Sequence, residues 1–291
     1  MSPSNDPSDD PSDSLLWSWS PEKGSITTAA ADPINNLCYA GTSDGGGGVF
    51  TALNCTDGSF LWEVDVGGEQ WGTLGPGVSQ DSGMVCVGVG GDANIFKDVG
   101  SKVTCMRPGT GEVLWEKGIG KQIQSRPSFS DSSVYVGDYN GCVYSLARDD
   151  GAVIWERCFQ GIGGSTWLTN VEGSTSVLMP SDEGGKIFVF VTSFTGFLYA
   201  LDGMTGEIEW QVKLGKPYVL GGGAASTPYV DAENRNVYVG GPEGIWAVEA
   251  DTGKVIWNHG TDSMCGSSPT AVDDDAIAIA CEDGYLYLLA K

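Results

Sequence analysis

The feature that most constrains this chain is a repeat in which a glycine is followed four residues later by a tryptophan. It occurs at Gly58/Trp62, Gly111/Trp115, Gly151/Trp155, Gly206/Trp210 and Gly253/Trp257. An apolar run stands before each pair (VFTAL, VTCM, VYSLA, FLYAL, IWAVE), then a turn with Asp or Thr ahead of the glycine. Glycine supplies the positive φ that a tight hairpin turn needs and that other residues adopt only at a cost. Alternation along the following strand sets each Trp on one sheet face. Upstream lie further strand-like runs, LCYAG, MVCVG, VYVGD, IFVFV, VYVGG and IAIAC. Small polar segments precede several of them, as in ITTAAAD, QSRPSFS, ASTPYVD and SSPTAVD. Four strands in roughly 40 to 55 residues make one blade of a β-propeller.

The expected fold is therefore all-β, a single β-propeller of six four-stranded blades, with seven blades as the alternative. The last unit runs out at Lys291 without its outer Trp strand, while LLWSWS near the N-terminus, with Trp17, is a strand without a blade. These deficits complement each other, so the N-terminal strand is expected to close the ring. Residues 1–13, rich in Ser, Asp and Pro, are expected to form a disordered acidic tail, and 14–291 the propeller. Within the tail, Ser8 and Ser12 sit in repeated D-P-S-D, a setting that suits acidophilic kinases.

Composition agrees with many short strands and tight turns: 44 glycines, 41 % hydrophobic residues and only 18 % charged ones. The balance of 38 acidic against 15 basic residues, a net charge of −23, repels phosphate backbones and anionic lipid. Nucleic-acid and membrane partners are thereby disfavoured, and a protein or peptide partner is expected. No apolar run approaches the roughly 20 residues needed to cross a bilayer. The N-terminus shows neither a positive segment nor an apolar one, so a cytoplasmic location is expected. Eight cysteines (38, 55, 86, 105, 142, 158, 265 and 281) include no C-x-x-C and no adjacent pair. They read as reduced, buried side chains. The sequon Asn54-Cys55-Thr56 has meaning only in a secreted protein.

At the G-x-x-x-W units and the pattern Leu198-Tyr199-Ala200-Leu201-Asp202, the chain resembles pyrroloquinoline-quinone-type (PQQ-like) propeller repeats over residues 14–291. The resemblance implies that Trp17, Trp62, Trp115, Trp155, Trp210 and Trp257 dock between adjacent blades as structural elements. The family includes quinoprotein alcohol dehydrogenases as well as non-catalytic members, among them the outer-membrane β-barrel assembly lipoprotein and the propeller of β-alanine-activating enzymes. Quinoprotein dehydrogenases share a vicinal cysteine pair, a bound calcium, a catalytic Asp and eight blades. This sequence has no adjacent cysteines, so no Asp here is matched to the catalytic one, and neither pyrroloquinoline quinone nor calcium is expected.

Other chemistry is sparse. His259 is the one histidine, which disfavours a His-based metal centre or a catalytic triad. The clusters Gly45–Gly48 and Gly221–Gly223 lack the Lys-Ser/Thr ending of a phosphate loop. Asp273-Asp274-Asp275 does not follow the alternating pattern of a calcium hand. More informative are Trp71, Gln124, Arg126 and Trp167, large or charged side chains where innermost strands begin and the repeat elsewhere has small residues. They would either plug the central channel or form a binding site at its mouth, for a peptide segment or for a small ligand in the channel. The expected function is a non-catalytic binding or scaffolding module. The alternatives are a quinone- or metal-dependent oxidoreductase, another propeller enzyme, or a propeller domain of a larger protein.

Overall fold

The computed structural model describes residues 15–43, 48–67, 75–90, 101–123, 125–159, 171, 173–182, 185–216 and 226–291. They form an all-β structure of six antiparallel sheets met in chain order. The first holds β1 (Ser25–Asp32), β2 (Leu37–Ser43), β3 (Gly48–Asn54) and β4 (Phe60–Asp65). The second holds β5 (Gly77–Val78), β6 (Val85–Val89), β7 (Lys102–Met106) and β8 (Val113–Gly118). The third is built of β9 (Ser128–Phe129), β10 (Ser133–Gly137), β11 (Cys142–Ala147) and β12 (Val153–Cys158). In the fourth are β13 (Ser176–Leu178), β14 (Phe188–Ser193), β15 (Phe197–Asp202) and β16 (Ile208–Lys213). The fifth comprises β17 (Tyr229–Asp231), β18 (Asn236–Gly241), β19 (Gly244–Glu249) and β20 (Val255–His259). The sixth has three strands, β21 (Thr270–Ala271), β22 (Ala276–Ala280) and β23 (Leu286–Ala290). Innermost strands of successive sheets touch, β1 on β5, β5 on β9, β9 on β13 and β13 on β17.

The core lies between sheets rather than at a single centre. Tyr39, Phe50 and Trp62 of the first sheet meet Val85, Val87 and Met106 of the second. Tyr135, Val143 and Trp155 of the third meet Val189, Val191 and Leu201 of the fourth. Strand alternation produces this, because each central strand sends apolar side chains to both neighbours.

The repeated Trp is the clasp between sheets. The Trp62 indole N–H donates to the carbonyl of Pro108 at 2.8 Å. Trp115 reaches Arg148 at 2.8 Å, Trp155 reaches Gly203 at 2.9 Å, and Trp210 reaches Ala250 at 2.9 Å. Trp17 makes the same bond to Cys55 in the first sheet, at 2.8 Å. Each ring covers the turn glycine of the next repeat. At Gly111, φ is +71°, and a Cβ would stand 2.7 Å from the Trp62 ring. The glycine therefore answers two demands at once, the turn's positive φ and the close approach of an indole. Trp257, beside the three-stranded sheet, packs instead against Tyr238 at 5.9 Å between ring centroids.

Two expectations need correction. The closing strand is not formed among the described residues: residues 15–20 pair with no strand, and β23 is left as the outer edge of its sheet. Trp17 docks by its side chain alone, which a ladder is not needed to hold, while Leu15 and Leu16 stay exposed. The cysteines are not free thiols. They form four disulfides, Cys38–Cys55, Cys86–Cys105, Cys142–Cys158 and Cys265–Cys281. Cys86 faces Cys105, and Cys142 faces Cys158, directly across neighbouring strands. Separations of 16 to 19 residues span one hairpin, so partners that look scattered in the sequence become neighbours once the strands pair.

Candidate functional site

Hydroxyl side chains stand just ahead of the innermost strands and bond to the strands beside them. The Ser125 Oγ accepts the Gly137 N–H at 2.8 Å, Ser226 Oγ that of Gly240 at 3.0 Å, and Ser267 Oγ that of Ala280 at 3.0 Å. One residue further along, a second series joins the sheets to one another. The Arg126 N–H donates to Ser174 Oγ at 2.7 Å, the Ser174 N–H to Thr227 Oγ1 at 3.0 Å, and the Thr227 N–H to Ser268 Oγ at 3.0 Å. These bonds satisfy backbone donors that the very short β9, β13, β17 and β21 leave outside their ladders.

Arg126 occupies the rung that Ser174, Thr227 and Ser268 occupy in later sheets. Its guanidinium reaches back toward the second sheet, where a Cβ added to Gly75 would lie 3.2 Å from Nη2 and 2.7 Å from Thr28 Oγ1. With φ at +86° and Thr28 so close, the position suits glycine. A cavity of about 460 Å³ opens beside it, walled by Ala31, Pro76, Gly77, Val78, Phe129 and Val177. Arg126 is the one charged residue among its described lining residues. The side chain is exposed in area, yet close walls strip part of its hydration and draw its pKa below the ordinary value. It remains a cation with a planar fork of donors, suited to carboxylates.

Trp71, Gln124 and Trp167, expected to share this mouth, lie outside the described residues. The small polar segments of the sequence contain this hydroxyl series, and its bonding role is what the structure adds: Ser125-Arg126-Pro127, Ser226-Thr227-Pro228 and Ser267-Ser268-Pro269 recur at the same place in the repeat. His259 is exposed and stands edge-on to Tyr287 at 5.3 Å. Among the described residues, one cluster has metal-ligand geometry, Cys142, Glu156 and Cys158, and its two sulfurs are consumed in a disulfide. The described lining of this cavity holds no acidic group to bind calcium, and the sequence has no vicinal cysteines, so these residues do not fit the quinone and calcium that the repeat is named for. No helix of the described residues is long and apolar enough to cross a membrane.

Comparison with known proteins places this geometry. A family model described as outer membrane protein assembly factor BamB matches residues 9–172 and 143–290. BamB of Shewanella oneidensis is 23 % identical over 278 residues, 92 % of this chain and 62 % of the relative. BamB of Moranella endobia is 23 % identical over 244 residues, covering 81 % and 55 %. Tetrathionate hydrolase of Acidianus ambivalens is 23 % identical over 205 residues, covering 63 % and 36 %. The chain thus spans less than two thirds of the length of these relatives. Among solved structures, BamB from Moraxella catarrhalis superposes with a TM-score of 0.69 at 19 % identity, over 90 % of this chain and 72 % of that one. A computationally designed protein, Ika8, gives 0.64 at 16 % identity, over 92 % and 71 %.

The expected cytoplasmic location is overturned. The BamB relatives are named as outer membrane protein assembly factors, and no described cysteine is a free thiol, a state that persists in oxidising compartments. The repeated turn and Trp clasp, the six sheets and the family match over most of the sequence lead to one conclusion: this chain belongs to the PQQ-like β-propeller family of outer membrane protein assembly factor BamB.

Proposed function

We propose that this chain is a non-catalytic propeller that binds protein partners outside the cytoplasm, in the assembly of membrane proteins for which its relatives are named. A carboxylate of an extended partner segment seats on Arg126 at the channel mouth. The placement of Arg126 carries this reading: a single fork-shaped cation stands where later sheets have a hydroxyl residue, beside an open cavity whose other described lining residues are uncharged. The surrounding strands are held by cross-sheet bonds, so little ordering entropy is lost when a segment binds. In a protein of net charge −23, a local cation also selects where an acidic segment lands.

Fluorescence anisotropy with labelled acidic peptides, with and without an aromatic residue, tests this. Arg126→Ala should weaken binding by about 1–3 kcal/mol, roughly a factor of 5 to 150, with the melting temperature little changed. Equal binding by wild type and R126A would remove the site. A second reading comes from the tetrathionate hydrolase relatives. Turnover of tetrathionate by the purified chain would replace the binding role with an enzymatic one.

A further inference from the structure

On the reading of Arg126 as a carboxylate seat, we infer that the bound segment lies along β1 as an added strand. The residue next to its acid, a large apolar or aromatic one, fills a second cleft walled by Trp17 and Trp19. β1 is eight residues long, whereas β5, β9, β13, β17 and β21 have two or three. It pairs with β2 along one edge and, among the described residues, with no strand along the other. From Ser25 to Ala31 it is exposed or half-buried, so the N–H and C=O groups of its free edge form a template for another chain.

A cavity lies to each side of this strand. The one beside Arg126, about 460 Å³, runs from Ala30 and Ala31 to Pro76, Gly77 and Val78 of the second sheet. Ala30 is paired with Tyr39, which packs toward that sheet. The other, about 390 Å³, is lined by Trp17, Trp19, Ile26, Ala29, Ala31 and Leu53, and none of its described lining residues is charged. Register sets Ala29 opposite Ala40, Ala31 opposite Cys38, and Cys38 opposite Leu53. These residues therefore belong to the face turned away from Tyr39 and the second sheet. Successive side chains of a strand point to opposite faces. A chain paired to the free edge of β1 sends one side chain toward Arg126 and the next into the indole cleft. The guanidinium takes a carboxylate, and the indoles take a ring or a branched apolar group. In a protein of net charge −23, that one cation also fixes the register of the added strand. The partner is thus an extended protein segment in which Asp or Glu stands directly beside Phe, Tyr or Leu.

Fluorescence anisotropy of labelled peptides on the whole chain tests this, with the melting temperature of each variant reporting folding. A peptide with adjacent Glu and Phe should bind about ten- to a hundredfold tighter than one with Ala for Phe. Trp19→Ala and Ile26→Asp should each erase that advantage and leave the dependence on Arg126 intact. Trp17 is kept, because its bond to Cys55 holds the turn of the first sheet. Moving Phe one residue further, onto the face of the Glu, should erase the advantage too. Methylating the alternate peptide amides that face β1 should weaken binding about tenfold, and methylating the other set should not. A Phe advantage that survives in both W19A and I26D, or equal binding by both methylated peptides, overturns the inference even where R126A still weakens binding. Oleate held in the cleft together with the peptide would give the cleft to a lipid chain and overturn it as well. Peptide binding indifferent to R126A would remove the carboxylate seat itself, and the added strand with it.

Discussion

At the scale of single residues, the Trp–Gly pair carries the most information. Trp62 is bonded to Pro108 through its ring N–H and lies against Gly111. Trp62→Phe keeps the ring face and loses the bond, so it should lower stability by about 1 kcal/mol. Gly111→Ala meets both a left-handed φ and a 2.7 Å clash with that ring, and should cost more than the roughly 1 kcal/mol of an unstrained backbone change. Urea unfolding of the two variants checks the order, and a G111A midpoint equal to wild type would refute the docking geometry. Asp138 illustrates a role that residue type alone conceals. Wholly buried, it accepts N–H bonds from Lys121, Asn140 and Cys142 at 3.0, 2.9 and 2.8 Å. Burial pushes its carboxyl pKa up while those donors oppose the shift. In the sequence it reads only as the polar end of VYVGD.

At the scale of elements, hairpins are cross-linked internally and sheets are tied to one another. Loops of 16 to 19 residues closed by disulfides are each worth about 3 kcal/mol in the chain-entropy account. Denatured protein alkylated without reductant should take up no label, and after reduction eight. Label uptake before reduction would contradict the pairing. Between the second and third sheets, Arg148 Nη2 meets Asp81 Oδ1 at 2.6 Å, and Ser79 Oγ donates to the same oxygen at 2.6 Å. The Ser79 bond first, and then Arg148, draw the Asp81 carboxyl down to about 2. Since the folded value lies below the ordinary 3.8, this group stabilises the fold above about pH 4. The contribution is lost as pH falls toward 2. Asp81 is largely exposed, so solvent screening limits the effect to about 0.5–1 kcal/mol. D81N should therefore be less stable than wild type at pH 6 and equal to it near pH 2. A difference that persists unchanged at pH 2 would assign the effect to packing instead.

At the scale of the whole molecule, burial is uneven around the series of sheets. Central strands in the second to fifth sheets are covered on both faces, whereas β23 alternates between exposed and half-buried residues. Tyr287 and Leu289 pack toward the fifth sheet, and Leu286 and Leu288 on the opposite face are 75 % and 66 % exposed. An apolar strand at the edge of a sheet invites pairing with other chains. The isolated chain should accordingly self-associate with rising concentration, despite its net charge of −23. Replacing Leu286 and Leu288 by Lys should suppress this in sedimentation velocity without lowering the unfolding midpoint. A variant that associates as strongly as wild type would locate the contact elsewhere.

The sequence by itself determined the repeat, the strand order within each sheet and the positive φ of each turn glycine; that each of these glycines also receives the Trp of the preceding repeat came from the structure. The features the sequence determined rest on local physics: alternation, positive φ at a fixed place, and a Trp at constant spacing. Arg126 was legible for the same reason, as a large cation where the repeat is otherwise small. What remained hidden depends on register and on neighbours from other sheets. Cys86 faces Cys105 only once β6 and β7 align, and Ser174 becomes the acceptor for Arg126 only once two sheets meet. A Trp17 that docks without its backbone joining a ladder was equally out of reach, because side-chain packing and strand pairing compete in three dimensions. Periodicity is written along the chain. Pairing across it is decided when the strands come together.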